Sequence, residues 1–353
     1  MTKQIIVLAS LCLTGGALSA QQAIVAPPLA KDLLASPGKE LSTITATYVP
    51  VPLPEPTADM TKVALGRRLF FDTRLSGDGT LSCASCHSFD HGGAEPRATS
   101  LGIGGAVGPI NSPTVLNASL NFVQFWDGRA ADLREQARGP VTNPIEMGSS
   151  FERVVAALTA DPTYVAGFRV PYTDGITEAN IVDAIAEYEA ALITPAPFDR
   201  FLRGDETALS ADERAGYELF RAVGCTSCHR GANLGGTMYQ RLGTVREYFG
   251  DDLGRPLTEA DNGRFNVTHK ESDRHRFKVP TLRNVALTAP YFHDGSRATL
   301  NEAVLLMGRH QHGRDLDSEQ VRLVVALLGA LTGELPEFAR MPDLEIPPMP
   351  RPD

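Results

Sequence analysis

Cysteine is scarce in this sequence, and none is left over for a disulfide. There are five cysteines in 353 residues. Four of them lie in two stretches of the form Cys-x-x-Cys-His, and the fifth, Cys12, lies in an apolar amino-terminal segment. Disulfide-stabilised secreted domains are much richer in cysteine. The composition therefore excludes a disulfide framework and leaves the four motif cysteines for another chemistry.

The chain also lacks a membrane-spanning run and an excess of positive charge. Beyond the amino terminus, no stretch approaches the roughly 20 apolar residues that cross a bilayer. Acidic residues outnumber basic ones by 42 to 33, which gives a formal net charge of −9. Such a chain is poorly suited to bind nucleic acid or an anionic membrane surface. We therefore expect no nucleic-acid partner and no membrane span.

The two Cys-x-x-Cys-His stretches predict two covalently bound c-type haems. In each stretch two thiols can reach the two vinyl groups of one haem, and the adjacent histidine can ligate the iron. The candidate haem residues are Cys83, Cys86, His87, Cys225, Cys228 and His229. A structural zinc site would need cysteine pairs about 15 to 20 residues apart, whereas these pairs begin 142 positions apart. A redox dithiol, the other alternative, needs no adjacent histidine.

The amino terminus is typical of a cleaved export signal. Lys3 precedes a short apolar run over residues 5–13, and small residues follow up to Ala20. A segment of this kind is too short to span a bilayer and is removed on export. We expect residues 1–20 to be a signal peptide and the mature protein to be periplasmic.

The remaining pattern predicts a mostly α-helical protein, with two cytochrome c-like haem domains, long loops and little β-structure. Residues 21–56 are predicted to be a linker or a surface strap. The amino-terminal haem domain is assigned to residues 57–194 and the carboxy-terminal haem domain to residues 195–353. Because several prolines follow Pro336, the second domain is expected to end in an irregular strap.

Capping residues indicate where the predicted helices begin. One helix is expected from about Ala58 to Phe70 with Thr57 as its N-cap, and Ser210 and Asp317 open capping boxes. Further helices are expected over residues 131–137, 151–158 and 178–193. In each domain, a helix that leads into the haem motif and a later apolar helix are predicted to cross at the haem edge.

The residue opposite each proximal histidine decides whether that haem carries electrons or binds a substrate. Before Cys228 the sequence contains only two histidines, His87 and His91, and His91 is too close to His87 along the chain to reach the opposite face. Methionines are the other candidates for the first haem, although methionine is more often core filler: these are Met60 and Met147. For the second haem the sequence alone leaves several candidates open: Met307, Met238, Tyr239, His269, His275 and His293.

Several further blocks occur in a recognisable order: residues 65–72, 111–117, 125–129, 146–148, 280–285 and 288–295. Together with the two haem motifs they resemble the bacterial di-haem cytochrome c peroxidases, whose relatives include the MauG-type enzymes. The resemblance covers nearly all of the mature chain. It implies a peroxidatic first haem and a second haem at which electrons enter.

The resemblance also implies roles for individual residues. Met307 matches the sixth ligand of the second haem, a position that is tyrosine in MauG-type enzymes. Trp126 matches the tryptophan between the two haems, and Gln136 and Glu146 match the catalytic polar pair beside the open face of the first iron. A calcium ion between the domains is implied by residues that match its ligands: Asn111, Thr288 and Pro290.

One position departs from the family pattern. The loop at residues 100–104 commonly carries a removable histidine ligand in these peroxidases, and the matching residue here is Ile103. Since isoleucine cannot bind iron, we expect the first haem to be open without prior reduction. This agrees with the shortage of histidine before Cys228.

The sequence therefore predicts an enzyme that reduces hydrogen peroxide to water with electrons from a small periplasmic donor, a cytochrome c or a cupredoxin. The resemblance suggests a homodimer. Two alternatives remain open at this point: a MauG-type oxidase that acts on a protein substrate, and a plain di-haem electron carrier.

Overall fold

The computed structural model describes residues 49–339, which are mostly helical. The α-helices, in chain order, are α1 Met60–Phe70, α2 Cys83–Cys86, α3 Leu133–Thr142, α4 Phe151–Thr159, α5 Pro162–Arg169, α6 Glu178–Ala191, α7 Pro197–Leu202, α8 Ala211–Val223, α9 Phe265–Thr268, α10 Leu300–His312 and α11 Ser318–Gly329. Short 3-10 turns lie between them. None of the described helices is both long and apolar enough to cross a membrane.

Within residues 49–339 the only paired strands are two of three residues each, β1 Tyr239–Arg241 and β2 Arg276–Lys278. They are antiparallel, with Gln240 opposite Phe277. The prediction of a mostly α-helical chain with little β-structure is confirmed. The predicted signal peptide, residues 21–48 of the strap and the tail beyond Ala339 lie outside the described residues.

The capping predictions are partly correct. Ser210 caps α8 and Asp317 caps α11, each through a capping box, as expected. The N-cap of α1 is Asp59 rather than Thr57, because the Asp59 carboxylate accepts hydrogen bonds from the backbone N–H groups of the first turn. Helix α3 continues beyond residue 137 to Thr142 and contains Pro140. Helix α5 was missed, although an aspartate N-cap followed by proline is a helix-start signal.

The described chain has two halves, residues 49–194 and 195–339, and each half contains one close helix crossing. Gly66 of α1 faces the backbone carbonyl of Ala184 in α6, and no room remains for a Cβ. Gly216 of α8 faces the carbonyl of Leu323 in α11 in the same way. Only glycine allows the backbones to approach this closely. The two predicted helix crossings are therefore present, and each lies beside one Cys-x-x-Cys-His motif.

One segment of each half, residues 111–140 in the first and 278–307 in the second, repeats at a constant offset of 167 positions. Pro113-Thr114 matches Pro280-Thr281, and each threonine Oγ1 accepts a hydrogen bond from the N–H two residues further on. Asn117 and Asn284 both adopt left-handed backbone conformations, with φ of 58° and 60°, and each begins a 3-10 turn. The same local fold is thus built twice.

The repeat continues through a tight loop into a helix. Phe125 and Phe292 both have positive φ, and each loop is closed by one antiparallel bridge, Gln124 with Ala130 and Tyr291 with Arg297. The helices that follow begin at equivalent positions, Leu133 for α3 and Leu300 for α10. This frame aligns residues that differ between the halves: Asn111 with Lys278, Trp126 with His293, and Pro140 with Met307.

Buried polar groups join the halves at their junction. Asn117 and Asn284, both fully buried, donate hydrogen bonds to the same Thr194 hydroxyl at 2.8 and 2.9 Å. Two equivalent backbone bonds cross between the halves, Asn111 N–H to His293 O and Lys278 N–H to Trp126 O, both 2.8 Å. These reciprocal bonds fix the position of Trp126 against the second half.

Helix α6 carries a buried carboxyl group that makes stability depend on pH. Glu189 is 4% exposed, and burial raises the pKa of its carboxyl from 4.5 to about 8. As pH rises from about 4.5 to about 8, the unfolded chain releases this proton while the folded chain retains it. The free energy of unfolding therefore keeps its full value below this pH range and decreases as pH rises through it.

We expect Glu189→Gln to remove this decrease in stability at high pH. At pH 8.5 the variant should be more stable than the parent by on the order of 2 kcal/mol, because no buried carboxylate has to form. At pH 5 the two should be similar. Urea unfolding of the haem-loaded proteins at both pH values tests this, with the exposed Glu178→Gln on the same helix as control. An equal effect of Glu189→Gln at the two pH values would contradict the assignment.

Candidate functional site

The first motif forms a single helical turn that presents its histidine. Helix α2 begins after Ser82, whose backbone N–H is capped by the Ser85 hydroxyl at 3.0 Å. The His87 N–H donates to Cys83 O, which closes the turn. His87 Nδ1 lies 3.1 Å from Gly93 O, so Nδ1 carries the hydrogen and Nε2 keeps its lone pair. Burial lowers the pKa of His87, which keeps the ring neutral.

The second motif reaches the same arrangement through a different turn. Helix α8 ends at Gly224, whose φ of 100° turns the chain directly into a 3-10 turn at Cys225. His229 Nδ1 lies 3.0 Å from Leu234 O, and burial lowers the pKa of the imidazole to about 4. Both histidines are thus neutral, oriented by a backbone carbonyl and free to ligate through Nε2, the arrangement typical of metal-binding histidine.

The thiols fit haem attachment better than zinc binding. All four motif cysteines are free of disulfides. Burial raises the pKa of Cys86 and of Cys225 to about 12, so both thiols are protonated when no group is bound to them. In the described part of the chain, the one group of three metal-ligand side chains is Asp261, His293 and Asp294, which contains no cysteine. Arg255 already neutralises that group, with bonds of 2.7 Å to each carboxylate.

A large, mostly apolar cavity lies against the second motif. Cys225, Cys228 and His229 line it on one side, and Met307 of α10 lines it as well. The thioether of Met307 packs with the cluster formed by Leu242, Phe249 and Phe277. A pair of thiols, a neutral imidazole and a thioether around one apolar cavity are the donors that a six-coordinate c-type haem needs.

The other candidate ligands for the second haem are engaged elsewhere or face solvent. His293 lines the same cavity, but its Nε2 is 2.8 Å from Asp261 Oδ1. His275 is buried with Nδ1 2.7 Å from Asp261 O, and His269 is exposed. Met238 and Tyr239 precede or form β1 and do not line the cavity. Among the predicted candidates, Met307 is therefore the one with a free donor atom in the cavity wall.

The first motif has no comparable partner among the candidates. Met147 is buried in the apolar core with Leu65 and Phe151, while Met60 is 55% exposed at the start of α1. His91 is exposed. At the position equivalent to Met307, the first half has Pro140, which has no atom able to ligate iron.

Glu146 lies in the turn after α3 and is half-buried, and its carboxyl group is more easily protonated than an exposed one. Burial raises the pKa of its carboxyl, while a 2.7 Å hydrogen bond from Asn143 Nδ2 and the charge of Arg129 act in the opposite direction. Gln136 lies on α3 itself and makes no hydrogen bond to Glu146. A carboxyl group with a raised pKa is suited to take up and release a proton near neutral pH.

Ile103 lies directly against the Glu146 turn. Its N–H donates to Glu146 O at 2.7 Å, and its side chain contacts the space beside Gly77 and Gly148, where a Cβ would meet it at 3.2 to 3.3 Å. The loop at the family's histidine position is thus fixed by a backbone bond and by apolar packing.

Trp126 and the three predicted calcium residues meet in one region. Trp126 Nε1 donates to Asn111 O at 2.9 Å, and its ring makes edge contacts with Phe277 and His293 at centroid distances of 6.4 Å. Asn111, Thr288 and Pro290 line the same cavity as Trp126. Trp126 and Asn111 are therefore in direct contact, and Thr288 and Pro290 line the same cavity.

Three buried charged residues near the motifs were missed by sequence reasoning. Glu95 is 6% exposed, hydrogen-bonds the Cys86 thiol, and has one carboxylate oxygen without a partner. Glu189 lies close enough to Cys83 to raise the pKa of its thiol. Lys278 lines the cavity beside the second motif and is 5% exposed. A single Lys or Glu is usually exposed, so no sequence pattern pointed to the burial of these three residues.

The chain is similar to known proteins over most of its length. The profile of the family described as di-haem cytochrome c peroxidase matches residues 60–207. The chain is 52% identical over 287 residues to cytochrome c peroxidase Ccp of Escherichia coli, covering 80% of this chain and 60% of that protein. It is 47% identical to the cytochrome c551 peroxidase of Nitrosomonas europaea, covering 80% of this chain and 82% of that one.

A solved structure is similar over the same span. It is the crystal structure of a MauG-like protein associated with microbial copper homeostasis, with a TM-score of 0.69 and 29% identity, covering 81% of this chain and 94% of that one. The peroxidases are thus more similar in sequence than this MauG-like protein. The chain belongs to the bacterial di-haem cytochrome c peroxidase family of enzymes.

Proposed function

We propose that this protein reduces hydrogen peroxide to water at a haem held by the first motif, with electrons that enter through a haem held by the second. The observation that carries the proposal is the difference between the halves at one equivalent position, Met307 against Pro140. A haem with one protein ligand can bind peroxide, and a haem with two transfers electrons. When bound, the first haem would supply the metal that accepts peroxide and the two electrons that cleavage of the O–O bond consumes.

Residues of the first half then handle the proton and the substrate. Glu146, as the carboxylate, takes a proton from one peroxide oxygen and, as the acid, returns it to the other, which then leaves as water. Asn143 orients the carboxylate through its 2.7 Å hydrogen bond. Gln136, whose amide has no partner among the described residues, is free to hydrogen-bond the substrate. His87 holds the opposite side of the site, oriented by Gly93 O.

Residues at the junction support transfer of electrons between the halves. Met307 stabilises the reduced state of the second haem, since a thioether ligand raises its potential. Trp126 lines the cavity beside the second motif; its indole N–H donates to Asn111 O, and its backbone carbonyl accepts from the N–H of Lys278. An aromatic ring fixed between two redox centres is a suitable route for electrons, and we assign this role to Trp126.

Five further parts of the proposal rest on the family and the fold. Each half, residues 57–194 and 195–353, is a haem domain, and the described helix crossings support this division. A calcium ion binds at Asn111, Thr288 and Pro290, where oxygen ligands are available. The donor is a small cytochrome c or cupredoxin. The protein is exported to the periplasm and forms a homodimer.

The experiment that tests the proposal is the reaction of the fully ferric protein with peroxide. Because Ile103 occupies the position of the family's removable histidine, we expect an immediate change in the spectrum of the first haem without prior reduction. Ile103→His is the matched variant, and we expect it to require reduction of the second haem before it reacts. A wild-type protein that is inert to peroxide in both oxidation states would instead be an electron carrier.

A further inference from the structure

Lys278 is a buried cation without a counter-charge. Its side chain is 5% exposed, and no hydrogen bond or ion pair to its ammonium is present within residues 49–339. Its backbone is firmly held, because its N–H donates to Trp126 O and its strand pairs with β1. Burial without a partner lowers the pKa of the ammonium to about 8. Natural proteins almost never bury lysine unless it is paired.

Among the described residues, no carboxylate forms an ion pair with this ammonium. Two acidic residues of the second half, the buried Asp261 and the partly buried Asp294, are both bound by Arg255. Asp199, fully buried, is paired with Arg283 through two bonds of 2.6 and 2.8 Å. These three carboxylates are thus paired with arginine, while Lys278 lines the same cavity as the second motif.

The repeat shows that this charge is specific to the second half. The equivalent residue in the first half is Asn111, which is neutral and makes the reciprocal backbone bond to His293 O. Both residues lie at the junction next to Trp126. The second half therefore has a positive charge where the first half has a neutral residue. This charge lies in the wall of the cavity that Met307 also lines.

We propose that Lys278 pairs with a propionate carboxylate of the haem held by His229 and Met307, and that its charge helps to raise the reduction potential of that haem. The inference rests on the proposed second haem and concerns a positioning residue that does not touch peroxide. A c-type haem carries two propionates that need partners when they are buried. A fixed positive charge nearby favours the electron-rich ferrous state over the ferric state.

The size of the effect follows from Coulomb attraction. A unit charge roughly 10 Å from a redox centre, in a medium of effective dielectric constant about 20, changes a one-electron equilibrium about tenfold. A tenfold change corresponds to about 59 mV for one electron. Since a propionate partner screens part of the charge, we take this tenfold change as the expected upper range.

The test is a spectroelectrochemical titration of the second haem in three variants. Lys278→Met keeps the length of the side chain and removes its charge, so the potential should fall by up to about 59 mV. Lys278→Arg keeps the charge and should stay close to the wild type. Lys270→Met removes an exposed lysine of the same half and should leave the potential unchanged.

Haem content is measured first, because this distinguishes a failure of the proposed function from a failure of the proposed role of Lys278. A wild-type protein without a second haem would overturn the proposed function itself. If the second haem is present and Lys278→Met has the wild-type potential, the role of Lys278 is wrong. Should Lys278→Met fail to fold, the propionate bending modes in the resonance Raman spectrum of the wild type decide. They should shift in D2O and differ in Lys278→Arg, and identical spectra would overturn the pairing.

Discussion

Replacing Glu146 with glutamine lowers turnover with hydrogen peroxide at least about 100-fold, the size expected when a general acid-base group is removed. The amide keeps the volume and the hydrogen bond to Asn143 Nδ2, which is 2.7 Å in the parent, but it cannot carry a proton between two oxygens. Peroxide binding should change little. The loss should appear in kcat and in the rate of the single-turnover reaction, measured by stopped-flow spectroscopy.

The pH profile gives a second test of the same residue. Burial raises the pKa of Glu146 above its ordinary value, so the carboxylate needed to accept the first proton is lost as pH falls through that raised pKa. The acidic limb of the parent's kcat/KM profile should therefore lie above pH 4.5 and be absent in Glu146→Gln. The exposed Glu152→Gln is the control. Unchanged turnover in Glu146→Gln would remove this residue from the mechanism.

Substituting leucine for Met307 has the second large effect. Leucine has a similar volume and keeps the apolar packing with Leu242 and Phe249, but it has no sulfur. Loss of a thioether ligand should lower the potential of the second haem by on the order of 0.1 V. Electron entry from the donor then becomes unfavourable, and steady-state peroxide reduction should fall about 100-fold.

The matched control for Met307→Leu is the same substitution at Met147. Met147 is 5% exposed in the core of the first half and does not line the cavity beside the second motif, so its loss should leave the potential and the low-spin spectrum of the second haem unchanged. Single-turnover reaction of Met307→Leu with peroxide should remain fast, since the first haem is intact. A Met307→Leu protein with an unchanged low-spin spectrum and potential would show that another residue ligates the second iron.

Local motifs made much of the site predictable from sequence. The two thiols and the histidine of each motif lie within five consecutive residues, so haem attachment could be predicted from the sequence alone. Capping boxes at Ser210 and Asp317 correctly located two helices. The helix before the first motif was also found, although its N-cap was misplaced by two residues because threonine and aspartate are both good N-caps.

The relation between the two halves could not be predicted in the same way. The repeat at an offset of 167 positions rests on short matches such as Pro113-Thr114 with Pro280-Thr281, which carry little signal without their shared backbone geometry. It is this frame that aligns Met307 with Pro140. The shortage of histidine before Cys228 indicated an open first haem from sequence, and the alignment gives a structural basis for the same expectation.

Buried charges were the least predictable part. Glu189 lies in a helix and Lys278 in a strand. Charged residues are usually exposed, and nothing in the sequence of either segment indicates that these two are buried. Their burial arises from packing between distant parts of the chain, such as the contact of α6 with α1 and the bond from Lys278 N–H to Trp126 O. No local pattern encodes such contacts, so only the structure reveals them.

The central claim is that the two irons differ, one with ligands on both faces and one open. An electron paramagnetic resonance spectrum of the fully ferric protein measures this directly. We expect one high-spin signal from the haem of His87 and one low-spin signal from the haem of His229 and Met307. Two low-spin signals, with both haems present in full amount, would contradict the account.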